Sequence, residues 1–172
     1  MPHKSRNHRR GDNGASPGIK PVGESHVEMM ELILPNDTNR LGNLLGGRLM
    51  HWIDIAAAMA ASRHTQRVCV TASVDELNFL HPVRQGEVVF LQASVNRVFH
   101  TSLEVGVRVT REDPLTGERK HTNTAYLTFV AIDNDGKPVG ANPVKPVTAE
   151  EKRRFRDAAK RRHLRLLHRQ RG

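Results

Sequence analysis

The chain has 172 residues, 27 Lys/Arg against 18 Asp/Glu, a single cysteine and 37% hydrophobic residues. This suits one globular domain with a real core. It excludes an intrachain disulfide and, since the longest uncharged apolar run is only Ile55 to Ala61, a membrane-spanning helix.

The formal charge of +9 is carried by the ends: residues 1–24 hold five Lys/Arg against two Asp/Glu and residues 145–172 hold eleven against three, whereas 25–144 hold 11 against 13. The central domain is nearly neutral, so net charge is no evidence that it binds nucleic acid. Basic residues near the N-terminus have no apolar block behind them, so neither a signal peptide nor an anchor is expected, and a reducing cytoplasm is the expected compartment.

Residues 1–24 contain almost no large apolar side chains and several Gly and Pro, and they read as a disordered basic tail. From Ser25 a strand pattern begins, with Val27, Met29, Glu31 and Ile33 on one side and Met30, Leu32 and Leu34 on the other, closed by Pro35 and Asn36. A loop rich in Asn, Asp and Gly runs from Asn36 to Gly47. The next 18 residues, RLMHWIDIAAAMAASRHT, lack Pro and Gly and predict a helix whose apolar residues surround its axis, the pattern of a central, wrapped helix. Its alanines allow a sheet or a second helix to approach closely.

Beyond the helix the period shifts toward 2, predicting strands over Val68 to Phe79, Glu87 to Phe99, Ser102 to Glu112 and Arg119 to Asp133, joined by turns at Pro82 to Gly86, Phe99 to Thr101 and Asp113 to Gly117. One strand, one buried helix and four further strands is the order of a curled antiparallel sheet around a single helix. Lone Cys69 falls inside one of these strands and reads as a buried thiol. After a Pro-containing connector, Thr148 opens a second helix with a capping-box spacing to Glu151, and the rest of the chain is basic and amphipathic. The expected divisions are therefore a tail over 1–24, a domain over 25–146 and a helical extension over 147–172.

The most informative stretch for chemistry is DTNRLGNLLGGRLMHWID, which sets a glycine-bearing polar loop against a helix start. Such a start offers unpaired N–H groups and a positive dipole end, and Gly46 and Gly47 would let a substrate oxygen approach them as an oxyanion hole requires. The same glycines also read as an ordinary helix entry. Asp54, between Ile53 and Ile55, is an anomaly, since a carboxylate among apolar neighbours must find partners or be neutralised. It either pairs with His51 or with a polar group on the sheet, or acts as a base or nucleophile toward a carbonyl held at the glycine turn.

Seven residues separate Gly47 from Asp54, roughly 10 Å along a helix axis, so one carbonyl does not readily touch both. Joint action therefore favours a second, antiparallel copy of the helix and a dimer with two equivalent sites. Asn43 either positions water or the carbonyl, or satisfies the loop or caps the helix. His64, His81, His100 and His121 show no spacing that suits one metal ion, and no metal or other cofactor is expected. Nucleophile-elbow, phosphate-loop and dinucleotide motifs are missing from the sequence.

Four ordered motifs, DTNRLGNLLGGRLMHWIDIAAAMAA, VDELNFLHPVRQGEVV, VNRVFHTSLEVGVRV and TNTAYLTFVAIDNDGKPV, together resemble the acyl-CoA thioesterases of hotdog fold, in particular the bacterial YciA type and the cytosolic brain-type acyl-CoA hydrolases. The resemblance covers about residues 26–139. It implies an α+β hotdog fold, a five- to six-stranded antiparallel sheet wrapped around one helix, here with an added C-terminal helix. It also implies cleavage of acyl-CoA to free acid and CoA, with Asn43 and Asp54 matching the catalytic pair across a dimer interface, and dimers assembling into a hexamer.

By the same resemblance Arg97, Thr101 and Ser102 lie where CoA is held, and Asn78 and Phe79 line the approach. The chain departs from the pattern at Phe99, where many relatives have Gly; a bulky ring there bears on the CoA-side contacts and not on the catalytic pair. Two other readings compete: an enoyl-thioester hydratase on the same fold, and a non-catalytic protein whose basic tails contact nucleic acid or anionic membranes.

Overall fold

The computed structural model describes residues 18–75, 77 and 81–169. In chain order the elements are β1 (Lys20–Pro21), a 3-10 turn (Val22–Ser25), β2 (Val27–Leu32), α1 (Gly46–Thr65), β3 (Val68–Val74), β4 (Val88–Val98), β5 (Ser102–Glu112), β6 (Arg119–Ile132), β7 (Val144–Lys145) and α2 (Ala149–Arg169). Five strands make one antiparallel sheet in the order β2-β4-β5-β6-β3, and β1 pairs in parallel with β7 beside it. This is the curled sheet with a central helix that the strand and helix order predicts.

Alternation along the strands separates the sheet's two faces. Val89, Leu91, Ala93 and Val95 of β4, Leu103, Val105, Val107 and Val109 of β5, and Ala125, Leu127 and Phe129 of β6 are all buried and form the inner face. Helix α1 lies across that face, touching all five strands. It packs through Leu49, Trp52, Ile53 and the alanines 56, 57, 60 and 61. The small side chains bring the helix close to the sheet, and the area removed from water, at about 25 cal/mol per Å² of apolar surface, is the main force holding the two layers.

The expectation of a helix wrapped on every side is corrected in one respect. Met50 is 44% exposed, Ile55 36% and Met59 46%, so one face of α1 is uncovered within the single chain. The reason is that the sheet lies against the opposite side of the helix, where Leu49, Trp52, Ile53 and the alanines are buried. Next to this open face, β3 is an edge strand with Val68, Val70 and Val74 exposed. An unpaired, apolar edge is a site for joining another chain unless something covers it.

Two boundaries also move. Of the expected tail over 1–24, residues 1–17 lie outside the described residues, but Lys20–Pro21 pairs with Val144–Lys145, and Val22 and Ser25 are buried. The Ser25 hydroxyl donates to Val22 O at 2.6 Å and accepts the Val95 N–H at 2.9 Å, tying this segment to β4. The expected strand over Val68 to Phe79 is described as β3 only to Val74, and Asn78 and Phe79 lie outside the described residues.

Helix α2 starts as the capping-box spacing predicts: Glu151 N–H donates to Thr148 Oγ1 at 3.1 Å and Thr148 N–H to Glu151 Oε2 at 2.9 Å. It covers the outer face of the sheet instead of extending into solvent. Ala158 is fully buried, and Arg161 and Arg165 converge on Glu104, a β5 carboxylate with no exposed surface. Arg165 also pairs with Asp75 at 2.6 Å, and Asn96 donates to Glu104 at 3.1 Å. Some of the C-terminal charge is thus consumed inside the fold.

Candidate active site

The loop that leads into α1 is built by short-range hydrogen bonds. Asn39 Oδ1 accepts the N–H groups of Leu41 at 2.9 Å and Asn43 at 3.2 Å, and Gly42 takes a φ of +71°, where glycine carries no steric penalty. Buried Asp37 clamps the loop to the helix, accepting the Leu34 N–H at 3.1 Å and pairing with Arg48 Nε at 2.8 Å. Leu44 N–H and Gln85 N–H then tie this loop to the 83–85 turn.

The consequence is an open helix start. No side chain caps α1, and the first N–H groups to bond are those of Arg48 and Leu49, both to Leu45 O. Gly46 and Gly47 N–H have no partner among the described residues, so the positive end of the helix dipole and two donors face outward. A Cβ added at Gly47 would meet nothing within 4 Å, so packing in this chain does not require that glycine. A cleft of about 350 Å³ adjoins it, lined by Asn39, Asn43, Gly46, Leu49 and His81 among others.

Asp54 is not in that cleft. It lies two turns along α1, half-buried, where the open helix face meets the β3 edge, and Thr71 Oγ1 donates to its Oδ1 at 2.8 Å. Of the two structural pairings open from sequence, the sheet partner is the one present. Thr71 was not singled out by sequence reasoning. The signal for it is the strand alternation that sets Cys69 and Thr71, paired with Ala131 and Phe129, on the helix-facing side. Asn39 and His81 were likewise missed as cleft residues; polarity in a loop does not by itself reveal which amides share a cavity.

Of the residues that the resemblance assigns to the coenzyme side, Thr101 and Ser102 lie together on the outer face. Thr101 and Ser102 line a pocket of about 490 Å³ between β3, β5, β6 and α2. Arg97 is turned away from it: its guanidinium donates to Phe155 O at 3.2 Å and stacks over the Phe155 ring at 4.2 Å. The α2 dock, absent from the resemblance because it lies beyond residue 139, claims that arginine. Among the described residues no group of three or more His, Cys, Asp or Glu could hold a metal ion.

Comparison with known proteins bears on the fold and the family. The Thioesterase superfamily model matches residues 41–118. An uncharacterized acyl-CoA thioester hydrolase, YkhA, of Bacillus subtilis is 43% identical over 136 residues, 79% of either chain. The crystal structure of an apo hexameric acyl-CoA thioesterase superposes with a TM-score of 0.85 at 39% identity, covering 88% of this chain and 97% of that one. Acyl-CoA hydrolase from Staphylococcus aureus, solved with butyryl coenzyme A, coenzyme A and coenzyme A disulfide, gives 0.83 at 34% identity over 88% of this chain and 92% of that one. Variants of the latter enzyme with an Asp, a Thr or an Asn replaced by Ala have also been solved.

A curled sheet around one helix is the hotdog fold that these thioesterases share. The chain belongs to the thioesterase superfamily, within its acyl-CoA thioester hydrolase branch, and is an enzyme of that class.

Proposed function

We propose that two copies of this chain pack with their α1 helices antiparallel, and that each of the two resulting sites hydrolyses acyl-CoA with Gly46, Gly47 and a loop asparagine from one protomer and Asp54 from the other. The observation that carries this is the separation within one chain: the free helix N–H groups and the cleft lie at one end of α1, and the carboxylate lies two turns away on its uncovered face. A twofold axis through that face would exchange the ends. It would also cover Met50, Ile55 and Met59 and pair the β3 edges, removing both of these exposed apolar surfaces. The hexameric relative supports further assembly into a trimer of dimers.

In this reading the thioester oxygen sits against the Gly46 and Gly47 N–H groups. Thr71 fixes one Asp54 oxygen and leaves the other to take a proton from water as its oxygen adds to the carbonyl carbon. The tetrahedral intermediate collapses with cleavage of the C–S bond, and the proton passes to the departing CoA thiolate. A thiolate is a good leaving group, so the step needs no metal or redox cofactor. In the S. aureus enzyme the replaced Asn stands fifteen residues before the replaced Asp, and the replaced Thr seventeen after it. The same intervals from Asp54 reach Asn39 and Thr71. They support Asn39, beside Asn43 in the cleft, as the loop amide acting with Asp54.

Asp54→Asn preserves volume and the Thr71 contact, and should lower thiol release from acyl-CoA by roughly 10²–10⁴-fold, the range for loss of a general base. The oligomer should remain folded. Normal turnover in that variant would remove the assignment. The assay also discriminates against hydration of an enoyl thioester, which releases no thiol.

A further inference from the structure

We propose that α2, which lies beyond the residues 41–118 matched by the family model, completes the coenzyme side of the site, with Arg162 binding a phosphate of CoA and Phe99 positioning it. This rests on the hydrolase reading above and adds to it a specificity residue and its ligand.

Four observations converge on the outer pocket. Arg162 lines it with Ser73, Thr101, Ser102, Thr128 and His168, so side chains of β3, of the start of β5, of β6 and of α2 share one cavity. The Arg162 guanidinium donates to Ser102 Oγ at 3.0 Å and lies over the Phe99 ring, 4.3 Å from its centre. It has no carboxylate within ion-pair distance among the described residues, whereas its neighbours Arg161 and Arg165 are committed to Glu104 and Asp75. Thr128 Oγ1, also in the lining, is buried without a hydrogen-bond partner.

A guanidinium has five N–H donors in a planar fork, and among the described residues one of them, to Ser102, is used here. An uncompensated fork beside hydroxyl groups in a concave pocket matches the oxygens of a phosphate, which accept bidentate arginine bonds. The phosphorylated end of CoA is the part of the substrate that offers such groups. The ring at position 99, where the chain departs from the pattern it resembles, acquires a reason: its face holds the arginine by a cation–π contact. Arg97 stands on the same ring at 5.7 Å but is bonded to Phe155 O, so Arg162 takes the phosphate contact and Arg97 anchors the helix.

The test compares acyl-CoA, acyl-(3′-dephospho)-CoA and acyl-pantetheine of one chain length as substrates, using thiol release, for wild type, Arg162→Gln, Phe99→Leu and Phe99→Tyr. Arg162→Gln should raise KM for acyl-CoA roughly tenfold or more, the scale of one lost charge-assisted bond to phosphate. It should leave kcat, and all constants for acyl-pantetheine, unchanged. The dephospho substrate assigns the phosphate: an equal rise in KM points to the pyrophosphate, and no rise points to the 3′-phosphate. Phe99→Leu should raise KM for acyl-CoA in the same selective way, and Phe99→Tyr, which keeps the ring face, should restore it. If wild type cleaves the substrates and Arg162→Gln leaves KM for acyl-CoA unchanged, or raises it equally for acyl-pantetheine, this inference is overturned and the hydrolase reading stands. If wild type releases thiol from none of the three, the hydrolase reading itself fails.

Discussion

Replacing Glu104 with Gln tests how the C-terminal helix is held to the sheet. Glu104 is completely buried and takes Arg161 Nη2 at 2.7 Å and Arg165 Nη2 at 2.9 Å, with each arginine side chain 21% exposed. Gln keeps the shape and can still meet the Asn96 amide, but it removes the charge both arginines face. Breaking a fully buried pair costs about 3–5 kcal/mol. Here Arg165 retains Asp75 and Arg161 retains the Tyr126 ring, 3.6 Å from its Cζ, and both keep some contact with water. The low end, about 3 kcal/mol, is therefore expected, which is about a hundredfold in an equilibrium constant.

That loss should appear as loosened docking of α2, because Glu104 holds two of its arginines, and what remains is Ala158 and Phe155 against the sheet, Arg97 on Phe155, and the bonds of Arg154 to Ser94 and of Arg162 to Ser102. Helix α2 is rich in Lys and Arg, so limited trypsin digestion with mass spectrometry reads its undocked population directly. Cleavage between Lys152 and Arg165 should accelerate about a hundredfold in Glu104→Gln, with a much smaller change in the rate of cleavage inside residues 27–132. Unchanged cleavage of α2, or equal acceleration throughout the chain, would refute the reasoning.

Two further outcomes follow from buried groups. His64 is fully buried, its Nε2 meets Asn142 O at 2.8 Å and its Nδ1 has no partner among the described residues, so burial pushes its pKa below the ordinary value of 6.5 despite the favourable carbonyl. The unfolded chain then takes up this proton first as pH falls: the stability is fully present above 6.5 and is lost as pH drops from there toward the folded value. Denaturant melts of His64→Gln should show a shallower loss than wild type below pH 6.5, and parallel curves would contradict the assignment. Gly106→Ala would place a Cβ 2.8 Å from Asn96 Nδ2, which itself donates to buried Glu104. A loss of about 1–3 kcal/mol in chemical denaturation is expected, and an unaffected midpoint would show that Asn96 moves freely.

The layered fold was legible because its signals are local and repeated: period-2 strands, short turns, an alanine-rich helix and the Thr148–Glu151 cap all point to one architecture. The open face of α1 was not legible, because a side chain covered by a second copy and one covered by its own sheet have the same composition. Asp54 stands out as a candidate through its apolar neighbours Ile53 and Ile55, and Gly46 and Gly47 through their place at the helix start. Thr71 and Arg162 were missed for a shared reason: each acts across 17 to 60 residues of sequence, on Asp54 and on Ser102, and no local pattern encodes that contact. The basic end of the chain read as a surface feature because charge counting cannot see Glu104, whose burial turns two arginines inward.

The central claim, that each site draws its acid from one protomer and its glycine turn from the other, is tested most directly by subunit mixing. Asp54→Asn and Gly47→Val are each prepared as homo-oligomers with negligible thiol release, then unfolded and refolded together in equal amounts. Sites shared across a twofold interface predict recovery of about a quarter of wild-type activity, since half of the dimers are mixed and each mixed dimer holds one intact site. Recovery of none, with mixed dimers demonstrated by mass spectrometry, would place acid and glycine turn in the same chain and contradict the account.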